Sequence, residues 1–259
     1  METLVVPEVE AVGHAPFEHV ISFLHKRQSN LSIYGAHMIH ELMRSGLGGK
    51  DIVWSQILPT AGGMVANQGQ LFAQCLDFYL SDEATPHLKE IQRLAKLNTR
   101  EADDLLLRYF MEGTRIRATV GLYRRSVTNT TIQNDATKID VKIGETLLCD
   151  LVAASQDPAV FPDPEKVKLD RPLDSYIHFG WGRHMCLGFD ITKLALTTML
   201  KTVGKLHNLR RAPGGQGQIK KIAGPGGITM YMTADQSSYF PFPTTMKIRW
   251  DGDLPESGK

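Results

Sequence analysis

The sequence predicts a mainly α fold with small β-sheets, and three observations carry that prediction. Apolar side chains recur at helical spacing through residues 17–44, 51–80, 86–96, 100–113 and 189–206. β-branched alternation with turn signals is confined to short stretches, VGLYRRSV, ATKIDVKIGETLLCDLVAA, ITMYM and TTMKIRW. Between the two groups runs DPAVFPDPEKVKLDRP, Asp157 to Pro172, whose prolines forbid both a regular helix and a central strand.

Taken in order, Phe17, Val20, Ile21, Leu24, Ile33, Met38, Ile39, Leu42 and Met43 mark one or two amphipathic packing helices. DIVWSQILPTAGGMVANQGQLFAQCLDFYL is too long and too apolar for a strand and reads as a buried helix. Pro59 removes a backbone donor there, and Gly62 and Gly63 remove side chains. The helix should therefore bend and let something approach its backbone. Two shorter helices follow the Ser81-Asp82 turn, and FDITKLALTTMLKTVGKL forms a last one with Leu194, Leu196, Met199 and Leu200 on its apolar side. Glycine-rich loops lie at 212–217 and 224–227, and Gly214-Gly215-Gln216-Gly217 in the first lacks the flanking elements and Lys-Ser/Thr ending of a phosphate loop. Arg210-Arg211 and Lys220-Lys221 beside the first loop read as solvated. No repeat or linker divides the chain.

With 259 residues, 42% of them hydrophobic, the chain can bury one large core or two modest ones. Lys plus Arg number 29 and Asp plus Glu 28, so no net field favours nucleic acid or anionic lipid. No apolar run approaches the roughly 18 residues of a membrane span. The start, METLVVPEVE, is not a signal peptide, and three widely spaced cysteines suit a reducing interior. The expectation is a cytoplasmic protein that meets lipid surfaces peripherally, with Cys75 and Cys149 as packing residues.

The sharpest local feature is Phe179-Gly180-Trp181-Gly182-Arg183-His184-Met185-Cys186-Leu187-Gly188, in which glycines loop the backbone and a single cysteine stands just before a helix. The positive end of the helix and nearby backbone N–H groups favour a thiolate there. A lone thiolate without a second cysteine or paired histidine makes a poor zinc site, whereas haem iron needs one protein ligand on its proximal side.

This stretch resembles the haem-thiolate loop of the cytochrome P-450 superfamily, F-G-x-G-x-(R/H)-x-C-x-G, through Phe179, Gly180, Gly182, His184, Cys186 and Gly188. The resemblance implies the C-terminal part of the cytochrome P-450 fold and a haem b cofactor. It makes Cys186 the axial iron ligand, His184 a partner of a haem propionate, and Phe179 and Gly180 neighbours of the cofactor beside the sulfur. The superfamily also pairs an E-x-x-R helix motif with a third arginine. The pattern occurs at Glu41–Arg44, Glu90–Arg93 and Glu112–Arg115. Only the last directly precedes the strand-like segment, so Glu112, Arg115 and Arg171 of LDRP are assigned the fold-holding role.

In this superfamily the long bent helix crosses the distal haem face and carries an acid followed by threonine. Here Val65 and Ala66 stand at those positions, and neither relays a proton. Asn67 and Gln70 follow on one helix face. Ala66-Asn67-Gln68-Gly69-Gln70 is similar to the A-N-Q-x-Q motif of the C-terminal domain in fungal linoleate diol synthases and psi-factor-producing oxygenases. That resemblance implies isomerisation of an unsaturated fatty-acid 8-hydroperoxide to a diol, with Asn67 and Gln70 as catalytic residues. It further implies a parent protein supplying the missing N-terminal half of the fold and an upstream haem dioxygenase domain. A reductase-dependent monooxygenase and a noncatalytic fragment remain the alternatives.

Overall fold

A computed structural model of the chain describes residues 6–7, 9–10, 14, 33–117, 121–133, 136–224, 229–241 and 246–253. The helical reading of residues 17–32 and most of the 224–227 loop lie outside them. The chain divides into two compact units, 1–67 and 68–259, and the division falls inside one helix.

In the first unit, α1 (Ile33–Arg44) is followed by α2 (Gly49–Ile52), a π-helical turn at Val53–Ile57, and the start of α3 (Leu58–Tyr79). Gly46, at φ +96°, ends α1, where the Leu47 N–H reaches back to the Leu42 carbonyl and the Gly46 N–H to that of Met43. Ala36 and Ile39 of α1 pack with Val9, Ile52 and Val53, while Met38 faces solvent.

The expected irregularity of the long helix falls earlier than the glycines. Leu58 donates to Val53, five residues back, in the turn just before Pro59, whose ring nitrogen has no hydrogen for the Ser55 carbonyl. Beyond that turn α3 is continuously helical through Gly62 and Gly63, and a Cβ on either glycine would meet nothing within 4 Å.

The second unit contains the rest of α3, then α4 (Thr85–Ala95), α5 (Arg100–Arg117), a short α6 (Leu151–Ser155) and α7 (Phe189–Gly204). Pro86 opens α4 at a position where its missing N–H costs nothing. Helices α4, α5 and α7 pack on one another. Their shared core holds Phe72, Cys75, Leu76 and Tyr79 of α3, Ile91 and Leu94 of α4, Leu106, Phe110 and Met111 of α5, and Leu196 and Leu200 of α7. Each buried leucine contributes roughly 1.5–3 kcal/mol. Two glycines set the closest approaches: a Cβ on Gly113 would lie 2.7 Å from the Tyr79 ring, and one on Gly204 would lie 3.0 Å from the Ala95 methyl.

The sheets are small and antiparallel. β1 (Gly121–Arg125) pairs with β4 (Thr146–Asp150), and the β2 (Thr130–Gln133) and β3 (Lys138–Val141) hairpin lies between them in sequence. Residues 157–172 form turns, as their prolines require. After α7 come β5 (His207–Arg211), β6 (Lys221–Ala223), β7 (Thr229–Met232), β8 (Tyr239–Phe240) and β9 (Ile248–Asp251). β5 pairs with β9, and β6, β7 and β8 form a sheet in that order. β2, β5, β6 and β8 lie outside the strand-like stretches of the sequence, because each has only two to five residues, too few for apolar alternation to stand out.

Three expectations need correction. Leu194 (68% exposed) and Met199 do not share the buried side of α7, because of the four apolar side chains only Leu196 and Leu200, one turn apart, enter the core shared with α4 and α5. Cys149 is exposed on β4, whereas Cys75 is buried. Arg211 is not solvated: it binds the Asp77 carboxylate and donates to the carbonyls of Leu80 and Gly217.

Candidate active site

The buried polar centre of the second unit is Glu112. Arg115 Nε donates to its Oε1 at 2.7 Å and Nη2 to Oε2 at 3.0 Å, with both side chains fully buried. Tyr176 Oη donates to Oε1 at 2.8 Å, the Lys168 N–H to Oε2 at 2.9 Å, and Arg171 Nε to Oε2 at 3.4 Å. The remaining guanidinium hydrogens reach main-chain carbonyls. Arg115 serves Ser155 and Lys166, while Arg171 serves Pro162 and Asp163. The Phe161 ring lies 5.1 Å from the Arg115 guanidinium and 5.5 Å from that of Arg171. Burial alone would raise the Glu112 pKa, but Arg115, the Lys168 N–H and Tyr176 together hold it below the ordinary carboxylate range. The irregular 157–172 segment is thereby anchored to α5. The copies at Glu41–Arg44 and Glu90–Arg93 are exposed ion pairs, worth little to stability.

The same segment leads into the cysteine loop. Gly180, at φ +85°, donates to the Ile177 carbonyl, and a Cβ there would lie 2.5 Å from the His184 carbonyl oxygen. Only glycine fits that position. Gly182, also at positive φ, opens a single 3₁₀ turn, Gly182–His184. The Cys186 N–H then closes the loop on the Phe179 carbonyl at 2.7 Å, and the Cys186 carbonyl accepts from Phe189 at the start of α7. A Cβ on Gly188 would come 3.8 Å from the Cys186 sulfur. The Phe179 ring is wedged between His178 (4.6 Å) and Phe189 (5.1 Å).

Cys186 is exposed, and so are Trp181, Met185 and Leu187 beside it. One open sulfur ligand in an apolar rim, with the exposed His184 imidazole two residues away, matches the chemistry of haem: a flat apolar ring, an iron needing one proximal donor, and carboxylates needing a hydrogen-bond donor. Among the described residues no group of three His, Cys, Asp or Glu side chains could hold a bare metal ion.

The cytochrome P-450 family model matches residues 89–232, from α4 through the cysteine loop to β7. The chain belongs to the cytochrome P-450 family. Psi-producing oxygenase A of Aspergillus fumigatus is 58% identical over 98% of this chain and 23% of its own length. A bifunctional dioxygenase–epoxy alcohol synthase of Fusarium oxysporum is 49% identical over 87% of this chain and 18% of its own length. Linoleate diol synthase of Gaeumannomyces graminis is 39% identical over 86% of this chain and 22% of its own length. The chain thus spans about a quarter or less of these relatives. Among solved structures, CYP109E1 of Bacillus megaterium with testosterone superposes at a TM-score of 0.60, with 21% identity, over 97% of this chain and 58% of that one. Fold and family together imply a haem with a thiolate ligand.

Within this cytochrome P-450 chain, Glu112, Arg115 and Arg171 converge on one another, and Phe179, Gly180, His184 and Cys186 share one loop. Asn67 and Gln70 lie a turn apart on α3, the first exposed and the second half-buried, and among the described residues neither amide has a hydrogen-bond partner. Their neighbour Gln68 reaches Thr192 of α7 at 3.5 Å.

Two residues escaped the sequence reading, Tyr176 and His178. Both are buried, and the only sequence signal was an aromatic cluster, YIHF, three residues after LDRP. Burial, aided by the positive charge of Arg115 and opposed by Glu112, lowers the His178 pKa to about 4 from 6.5. The folded protein therefore binds fewer protons than the unfolded chain between those values. Stability from this group is complete above about pH 6.5 and is lost as pH falls toward 4. Urea midpoints should decline across that window in the native protein and stay flatter in His178→Phe; equal slopes would refute the linkage.

Proposed function

We propose that Cys186 ligates the iron of haem b through its thiolate, and that the chain is the C-terminal, cysteine-bearing portion of a haem-thiolate domain in a longer parent protein. There it isomerises an unsaturated fatty-acid hydroperoxide, of the 8-hydroperoxide type, to a diol. His184 donates to a haem propionate, and the ring of Phe179 and the bare Cα of Gly180 shape the proximal side. The haem would supply the iron at which the hydroperoxide O–O bond is cleaved. Electron donation from the Cys186 sulfur favours that cleavage.

The observation that carries the reading is the amide pair on α3, Asn67 and Gln70, following Val65 and Ala66 where an acid and an alcohol would serve dioxygen activation. A hydroperoxide brings its O–O bond ready made, and its conversion to a diol moves one oxygen within the molecule, so no outside electrons and no proton relay are needed. Neutral amides can both donate to and accept from a hydroperoxide without changing its protonation. Asn67 and Gln70 would hold the two oxygens and restrict which carbon–hydrogen bond is oxidised. The names of the relatives support oxylipin chemistry. That of the Fusarium relative also admits an epoxy alcohol as product.

The test is feeding. Haem-loaded protein given an 8-hydroperoxide should form diol with neither reductase nor reduced nicotinamide, and Asn67→Leu or Gln70→Leu should slow turnover about 100-fold. Strict dependence on a reductase and dioxygen would establish a monooxygenase instead. Epoxy alcohol as sole product would keep the substrate and replace the diol.

A further inference from the structure

We propose that His178 is a positioning residue for Cys186, a neutral imidazole locked on Thr114 that ties the cysteine loop to the helix carrying Glu112 and Arg115. The inference rests on Cys186 being the haem ligand. It concerns how that sulfur is held, which the loop's own residues do not explain. Gly180, Gly182 and Gly188 offer the loop no side-chain anchor, its backbone bonds run mostly within the loop, and its outer side chains lie in the open. Its orientation has to be fixed from the buried end, and His178 stands there, 9% exposed, one residue before Phe179.

The hydrogen-bond directions follow from Thr114. Its hydroxyl lies 2.9 Å from the Met111 carbonyl oxygen and 3.0 Å from that of Phe110, so its hydrogen is spent on the turn beneath it. The 3.2 Å contact with His178 Nε2 then has the imidazole donating and the hydroxyl oxygen accepting. That fixes the tautomer: hydrogen on Nε2, lone pair on Nδ1. Nδ1 is buried and has no partner among the described residues. A proton added there would find no acceptor and would face the Arg115 charge. With Glu112 and Tyr176 already bonded to each other, the imidazole stays neutral.

From this anchor the contacts run to the sulfur. The His178 ring packs at 4.6 Å on Phe179, whose other neighbour is Phe189 at the head of α7. The Phe179 carbonyl takes the Cys186 N–H at 2.7 Å. Moving His178 would move the peptide on which Cys186 closes. The bare Nδ1 argues the same way, since a buried acceptor without a partner is a cost that an apolar side chain of similar size would avoid. The imidazole therefore serves a specific geometry, the Nε2–H···Thr114 bond, rather than simple filling of space.

The test uses haem-loaded protein and two readouts, the ferrous-carbonyl spectrum, which separates thiolate from neutral-thiol ligation, and haem retention. Thr114→Val removes the acceptor with almost no change of shape, His178→Phe keeps a ring without a donor, and His178→Gln restores an N–H. The first two should each raise the neutral-thiol share and weaken haem retention about tenfold, the effect of disturbing a residue behind a metal ligand. His178→Gln should recover most of the loss, and the Thr114→Val/His178→Phe double variant should be no worse than either single. Wild-type spectra and retention in Thr114→Val would overturn the proposal, as would fully additive losses in the double variant. Should His178→Phe fail to fold, the isosteric Thr114→Val decides. A wild-type protein without a thiolate-type spectrum would instead refute the assignment of Cys186, before any variant is compared.

Discussion

Cys186→Ser is expected to eliminate the thiolate-type ferrous-carbonyl spectrum and all hydroperoxide turnover while leaving the fold intact. The separation follows from the geometry. The main chain of Cys186 makes the structural bonds, its N–H to Phe179 and its carbonyl to Phe189, whereas its side chain is exposed. Serine preserves the first and removes the second. A hydroxyl is a much harder donor and does not ionise near neutral pH, so the strong electron donation that favours O–O cleavage disappears. Unfolding of the variant without haem, followed by circular dichroism, should match that of the native protein without haem. Persistence of a thiolate-type spectrum would move the ligand to another cysteine. Cys75 is the poorest candidate, since burial pushes its thiol far above the ordinary range and its sulfur faces the Phe110 carbonyl.

Arg115→Leu should be the most destabilising single substitution in the second unit, at about 3–5 kcal/mol. It would strand the Glu112 carboxylate without its bidentate guanidinium partner, remove the donor to the Ser155 carbonyl, and leave the Lys166 carbonyl only its 3.4 Å bond from Arg171. Against a typical total of about 5–15 kcal/mol, that loss is enough to deplete folded protein at growth temperature. Arg171→Leu should cost less, because its own contact with Glu112 is the longest of the set at 3.4 Å and its other bonds are to carbonyls of the turn segment. Arg93→Leu supplies the control: the same E-x-x-R spacing, exposed, with no measurable change in chemical stability. Denaturant midpoints that ranked Arg93→Leu with Arg115→Leu would show that the buried network does not hold the fold.

That comparison also marks how far the sequence could be read. The three E-x-x-R copies are equivalent as helix geometry, since i,i+3 side chains meet on any helix. What separates Glu112–Arg115 from the others is contact with residues 155–176, distant in sequence. Helix periodicity likewise marked α7 as amphipathic but could not choose between the Leu196–Leu200 face and the one carrying Leu194, because the choice belongs to α4 and α5. Pro59 located trouble in the long helix. The chain absorbed it as a π turn before the proline rather than as a break at the glycines, since widening one turn spares the hydrogen bonds that a break would lose.

The sequence by itself determined the parts whose physics is local. Gly180 and Gly182 are written into the cysteine loop because positive φ is a property of a single residue, and the turn-forming prolines and the amide pair on one face of α3 are read in the same way. Tertiary structure alone decided which carboxylate is buried, which face of α7 is covered, and which tautomer His178 adopts. That last choice rests on a hydroxyl 64 positions earlier whose hydrogen is already committed to its own helix. Burial and hydrogen-bond direction are set by partners that meet only when the chain folds, and no window of sequence contains both ends of such a bond.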